Sequence, residues 1–160
     1  MRNRLYAFLR DLRQDQRGLA LTELVLVVPM LSVLTLGTVD YSMMVLARLT
    51  VQTAARTGAE YAVENGYDST SIASAITGTS NRGGLVSTIA ATPAPSQWYG
   101  CPNATTGVAT AVASTTVCST GKTAGTYVTA SAQATYTFLL PWPYAPSSSV
   151  LNASSTVRIN

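Results

Sequence analysis

The side chains that most often do chemistry are scarce in this chain of 160 residues. It contains no histidine, which removes His-based catalytic triads, Cys–His dyads and the commonest protein ligand of metals. Gly121-Lys122-Thr123 imitates the end of a phosphate-binding loop. Such a loop needs a glycine five positions before Gly121, however, and Thr116 stands there. We therefore expect no enzymatic activity, no metal site and no cofactor.

Cys101 and Cys118 are the only cysteines. Both follow the apolar segment described below, so we expect both to be exported into an oxidising compartment, where pairing is favoured. A disulfide would close a loop of 18 residues, counted from Cys101 through Cys118, and stabilise the fold by about 3 kcal/mol in the chain-entropy estimate. Two free thiols are the alternative.

The positive charge of the chain is concentrated at its start. Residues 1–18 hold five arginines against two aspartates, so they carry 5 − 2 = +3, while residues 19–160 hold five basic and five acidic residues. The body of the chain therefore has no basic patch, and we expect no nucleic-acid partner.

Residues 19–39 form an apolar run in which Glu23 is the one charged residue. At 1.5 Å per residue this helix would span about 30 Å, the thickness of a bilayer core. The five preceding arginines predict a cytoplasmic N-terminus and an exported C-terminus. A buried helix of a soluble protein and a secretory signal peptide, cleaved after Ala47, are the alternatives. No cysteine follows the run closely, which excludes a lipoprotein.

Pro29 interrupts the predicted membrane helix. It cannot donate a backbone hydrogen bond to the carbonyl of Val25, so the sequence predicts a kink there. A proline tolerated without functional consequence is an equally good interpretation.

The helix is predicted to continue to Glu64, where Asn65-Gly66 resembles a C-terminal cap. Its residues form two stripes. The stripe of polar residues is expected to face solvent, and the stripe of small residues is expected to pack on the chain's own sheet. The polar stripe contains Arg48, Gln52, Arg56, Glu60 and Glu64, and the small-residue stripe contains Val51, Ala55, Gly58 and Ala62.

After the long helix, the chain has one short helical pattern and several β-type patterns. Ser69 could cap a short helix ending at Ile76, and residues 85–91 and 108–117 are candidate strands. From Val128 the even positions are apolar up to Leu140, which predicts a strand with one wet face, and residues 151–159 alternate again. With a turn at residues 121–125, these patterns predict an antiparallel meander. The fold class is therefore α+β: a long N-terminal transmembrane helix followed by a small antiparallel sheet.

Residues 17–23, RGLALTE, combine a basic leader ending in Gly18 with a glutamate five positions later at the head of an apolar helix. This resembles the processing site of type IV prepilins. Over residues 17–62 the chain resembles the TadE-like family of minor pilins or pseudopilins of the Tad (Flp) pilus system. The TadF-like relatives, which are similar in size, are the alternative.

The resemblance implies that a prepilin peptidase cuts between Gly18 and Leu19. Residues 1–18 are then a leader, residues 19–64 a transmembrane and amphipathic helix, and residues 65–160 an exported, pilin-like head. Glu23 becomes the fifth residue of the mature chain and is expected to face the N-terminal amine of a neighbouring subunit during assembly. The alternative is that Glu23 merely occupies the interfacial first turn of the helix.

The implied function is structural: assembly or priming of a Tad pilus that supports adhesion, surface colonisation or secretion. The implied partners are the prepilin peptidase, the major Flp pilin, other minor pilins and the assembly platform of the cytoplasmic (inner) membrane. The protein would cross that membrane once or enter the extracellular pilus. The alternatives are an uncleaved, membrane-anchored binding module and an exported enzyme with a hydroxyl or carboxylate nucleophile.

Overall fold

The computed structural model describes residues 17–79, 84, 86–103, 109–139 and 146–159. The leader residues 1–16, Leu85, Val108 and Leu140 lie outside the described residues. The fold is α+β, as the sequence predicts: one long apolar helix is followed by a short helix and an antiparallel sheet. The elements are α1 (Arg17–Asn65), α2 (Ser69–Thr77), β1 (Ser96–Pro102), β2 (Ala109–Ala111), β3 (Gly125–Thr137) and β4 (Ser148–Arg158). They divide into two compact units, residues 1–41 and 42–160.

The N-terminal unit contains the first half of α1, whose apolar side chains are exposed. Leu26 and Met30 are 77% and 69% exposed on one side of the helix, and Leu24 is 61% exposed on the opposite side. The helix is long and apolar enough to cross a membrane, and none of its most apolar window is buried. Exposure on all sides disfavours the buried helix of a soluble core, because such a helix hides its apolar surface from water.

Hydroxyl groups in this half of α1 bond to the helix backbone. The Ser32 hydroxyl donates to the Val28 carbonyl at 2.8 Å, and the Thr35 hydroxyl donates to the Leu31 carbonyl at 3.0 Å. Local satisfaction of this kind lets Ser and Thr enter an apolar surrounding without an unpaired polar group.

The C-terminal unit is built on a four-stranded antiparallel sheet of order β2-β1-β3-β4. The predicted meander is wrong in its order, because β3 returns beside β1 and leaves β2 at an edge. The eleven-pair ladder between β3 and β4, which runs from Tyr127 opposite Arg158 to Thr137 opposite Ser148, is the longest in the sheet.

Two of the strand predictions differ from the structure, and one strand was not predicted. Strand β1 was not anticipated, and the strand expected over residues 108–117 is limited to β2. The segment expected as a strand over residues 85–91 instead meets β3 through a single bridge between Ala90 and Gln133, supported by the Ser87 N–H donating to the Thr135 carbonyl at 2.8 Å.

The core lies between one face of β3 and the second half of α1. The even residues of β3 from Val128 to Tyr136 are buried, as their alternation predicts, and so is the small-residue stripe of α1. A Cβ atom placed on Gly58 would lie 2.5 Å from Ile76 Cγ1 and 3.3 Å from Ala130 Cβ. The absence of a side chain at Gly58 thus lets α1, α2 and β3 approach closely. The polar stripe of α1 is exposed, which confirms the predicted solvated face.

The N-cap of α2 lies one residue before the predicted one, because Asp68 and not Ser69 caps the helix. The N–H groups of Thr70 and Ser71 donate to the Asp68 carboxylate at 3.2 and 3.3 Å, and the Ser71 hydroxyl donates to it as well. These hydrogen bonds favour the ionised carboxylate and lower the pKa of Asp68, with the Ser71 hydroxyl having the largest effect and the Thr70 N–H the next largest. The helix buries Ile72 and Ile76, as its pattern predicts.

Cys101 and Cys118 form a disulfide, which confirms the predicted pairing. Their Cα atoms are 5.5 Å apart, and the bond fastens β1 to the connection between β2 and β3. That connection turns tightly at Gly121, whose φ of 77° suits glycine and whose N–H donates to the Cys118 carbonyl at 2.8 Å.

Candidate functional site

The start of α1 holds the residues to which the sequence assigns processing and assembly. Helix α1 begins at Arg17, so Gly18 and Leu19 lie in its first turn. Glu23 lies four residues after Leu19, about one helical turn further along α1. The structure therefore places the expected cleavage site and the expected assembly residue next to each other on one short stretch of helix.

Glu23 is exposed among exposed apolar side chains. Its neighbours Leu21, Leu24 and Val25 are 64%, 61% and 60% exposed. No other charged residue occurs between residues 19 and 39. When this surface is covered by lipid or by apolar helices, an unpaired carboxylate becomes costly. In such a surrounding Glu23 would require a cationic partner, and no residue of the apolar run itself could supply one.

Pro29 lies inside α1 and is exposed. It lacks the N–H that would donate to the Val25 carbonyl. The predicted kink at Pro29 stays a prediction.

The described residues of the C-terminal unit contain no comparable cluster of reactive groups. Within the described residues, no group of three or more His, Cys, Asp or Glu side chains could hold a metal ion. Lys122 belongs to the Gly-Lys-Thr sequence that resembles the end of a phosphate-binding loop. It lies between Val117 and Thr123, which form a β-bridge, and a strand rather than a helix follows it.

A ladder of polar side chains crosses the sheet face that points away from α1, and the sequence patterns did not identify it. Trp98 Nε1 donates to Thr129 Oγ1 at 3.0 Å, and the Thr129 hydroxyl is bonded to the Thr156 hydroxyl at 3.0 Å. The Trp98 ring stacks on Tyr127 with centroids 4.9 Å apart. These groups satisfy one another across three strands, so their arrangement supports the sheet. Trp98 and Thr129 are 31 positions apart in the sequence, and Thr129 and Thr156 are 27 apart. Only the register of the strands brings these residues together.

Comparison with known families matches residues 18–60 to the family of TadE-like proteins. No curated protein and no solved structure matches the chain. The matched segment begins at Gly18, contains Glu23 and Pro29, and lies entirely within α1. It covers the same region on which the sequence resemblance rests. The match therefore confirms the resemblance over residues 18–60.

Proposed function

We propose that this protein is a structural minor pilin or pseudopilin that takes part in the assembly or priming of a Tad-type pilus. One coincidence carries the proposal: the TadE-like match starts at Gly18, where a basic leader meets a helix whose apolar side chains are exposed. A TadE-like segment suggests association with a Tad pilus. An exposed apolar helix needs either a bilayer or other apolar helices to cover it, and a pilus subunit meets both in turn.

In this proposal a prepilin peptidase cuts after Gly18 and creates a new α-amine on Leu19. The glycine has no side chain to hinder close approach to the scissile bond. The mature helix then carries a positive charge at Leu19 and a negative charge at Glu23, about 6 Å further along the axis. Pairing Glu23 with the amine of the neighbouring subunit neutralises both charges in an apolar surrounding and sets the axial register between subunits.

The protein is proposed to reside in the cytoplasmic membrane before assembly. The five arginines of residues 1–18 favour an N-terminus in the cytoplasm and an exported C-terminal unit. The Cys101–Cys118 disulfide supports this orientation, because disulfides persist in oxidising compartments. Its partners would be the peptidase, the major Flp pilin, other minor pilins and the assembly platform.

Intact mass and N-terminal sequencing, after expression with and without a prepilin peptidase, test the first step. We expect the mature chain to start at Leu19 only when the peptidase is present. A start at Met1, with the same peptidase shown to process a control prepilin, would contradict the proposal. The uncleaved, membrane-anchored binding module would then be the leading function.

A further inference from the structure

The sheet ends on one side in β4, whose outer edge has no strand beside it among the described residues. Strand β4 has 11 residues, whereas β2 at the opposite end of the sheet has three. Proteins usually protect long edge strands with charged residues, proline or a bulge. Strand β4 contains no proline, its only charged residue is the terminal Arg158, and its register with β3 runs without a bulge.

The hydrogen bonds at the two ends of β4 show which of its backbone groups face outward. The Phe138 N–H donates to the Ser147 carbonyl at 3.1 Å, and the Ile159 N–H donates to the Thr126 carbonyl at 3.0 Å. In an antiparallel pair, residues that bond to the neighbouring strand alternate with residues that do not. The odd residues of β4 therefore bond to β3, and the even residues, such as Ser154 and Thr156, direct their N–H and carbonyl groups away from the sheet.

A groove of about 380 Å3 follows this edge on the side of α1. It is lined by Gln52, Arg56, Ala153, Ser154, Ser155 and Thr156. Arg56 is exposed, and no carboxylate of the described residues forms an ion pair with it. The groove thus combines outward-facing backbone groups with a cation that is available for a new partner.

We propose that the outer edge of β4 receives an extended segment of a partner polypeptide, which adds a fifth strand and places an acidic side chain against Arg56. Backbone hydrogen bonds to the even residues of β4 would provide affinity, and the arginine would select an acidic sequence. The inference rests on the C-terminal unit alone and does not depend on cleavage or on pilus assembly.

Charge distinguishes this occupant from a second copy of the chain. Symmetric pairing of two β4 strands would bring two copies of Arg56 to one interface. Strand β4, SSVLNASSTVR, contains no carboxylate to neutralise them. A heterologous acidic strand satisfies the backbone edge and Arg56 together, so it is the occupant that the groove favours.

Two capped, fluorescein-labelled peptides, TVTETVT and TVTKTVT, provide the direct test. In an extended conformation their central Glu or Lys lies on the same side as the two valines, while the threonines face the other side. Anisotropy titrations with the purified full-length protein in detergent should show that the Glu peptide binds at least tenfold more tightly. Equal affinities for the two peptides, or binding of neither, would overturn the proposal.

Variants separate the two contacts. Arg56→Glu should reverse the preference in favour of the Lys peptide. Arg48→Glu makes the same charge change on the same exposed stripe, about 12 Å away along the helix, and should leave the preference unchanged. If Arg48→Glu altered the preference as much as Arg56→Glu, the selectivity would reflect net charge and the groove assignment would be wrong.

Backbone pairing is tested by Ser154→Pro, which removes an outward N–H but no bond to β3. Ser154→Pro should weaken the binding of both peptides at least tenfold, whereas Ser154→Ala should leave their binding unchanged. A Glu peptide N-methylated at its edge-facing amides tests the same bonds without altering the protein, and it should also bind at least tenfold more weakly. Unchanged binding of the methylated peptide would refute strand addition. A wild-type dimer that Ser154→Pro dissociates, measured by sedimentation without peptide, would show that a second copy is the occupant.

Discussion

Gly58 is the position at which a single added methyl group tests the packing of the C-terminal unit. Its missing Cβ would lie 2.5 Å from Ile76 Cγ1, 2.9 Å from Ile76 Cδ1 and 3.3 Å from Ala130 Cβ. Carbon atoms prefer separations of about 3.5–4.0 Å, so the first contact is about 1 Å too short. Ile76 is fully buried and branched at Cβ, which leaves it little freedom to move aside.

Two effects of opposite sign decide the stability of Gly58→Ala. Alanine is a better helix former than glycine and contributes about 1 kcal/mol in a helix interior. Overpacking a close-packed core costs about 2 kcal/mol. We therefore expect Gly58→Ala to destabilise the C-terminal unit by about 1 kcal/mol, the difference between these two effects.

Truncating Ile76 should reverse the sign of the effect that Gly58→Ala has on stability. Ile76→Ala removes Cγ1 and Cδ1 and costs about 3 kcal/mol by itself. In that background the new methyl group has room, so Gly58→Ala should stabilise by about 1 kcal/mol through helix propensity. The coupling between the two substitutions is then about 2 kcal/mol, well above the error of additivity.

Urea titrations of the four proteins in detergent, followed by tryptophan fluorescence with the disulfide intact, measure this cycle. Trp98 lies half-buried on the sheet and reports its unfolding. Additive effects within about 0.5 kcal/mol would refute the close approach of Gly58 to Ile76. A stabilising Gly58→Ala in the wild-type background would refute it equally.

Four further predictions concern the remaining sites. Gly18→Val should leave residues 1–18 attached, so that mass spectrometry finds the unprocessed chain even when the peptidase is present. Normal processing of this variant would argue against cleavage between Gly18 and Leu19. Glu23→Ala should permit cleavage but abolish assembly, scored by pilus recovery; wild-type pili would exclude the register role. Replacing Cys101 and Cys118 with serine should cost about 3 kcal/mol in urea unfolding, and no loss would show that the closed loop adds nothing. Asp68→Ala should lower the Tm at pH 7 while Asp68→Asn retains the cap. Because the folded state lowers the pKa of Asp68, the ionised carboxylate stabilises the fold above the unfolded pKa, and this contribution is lost as pH falls through the folded pKa. A Tm difference between wild type and Asp68→Asn that stays the same at low pH would contradict this.

The helical part of the molecule was predictable because its signals are local. The apolar run predicts exposure to a membrane or to other apolar helices, and the alternation of small and polar residues correctly assigns the two faces of α1. The even-residue pattern of β3 succeeds for the same reason, because alternate side chains of a strand point to opposite faces. The N-cap of α2 was misplaced by one residue, since Ser69 and Asp68 are both good capping residues and only the backbone conformation selects Asp68.

The strand order could not be predicted in the same way. Strand β1, SQWYGCP, has no clear alternation, and it is a strand because its backbone pairs with β3 nearly thirty residues later. The meander failed because the choice between β1 and β2 as the neighbour of β3 depends on contacts far apart in sequence, which local propensity does not encode.

By itself the sequence determined the apolar helix, the RGLALTE motif, its TadE-like resemblance and the pairing of two isolated cysteines. Each depends on neighbouring residues or on composition. Only the tertiary structure decided that Gly58 lets α1 approach Ile76 closely, that the Trp98 ladder crosses three strands, and that the groove beside β4 contains Arg56. These features join residues distant along the chain, and such contacts exist only after the chain has gained enough buried surface to offset the entropy of bringing its segments together.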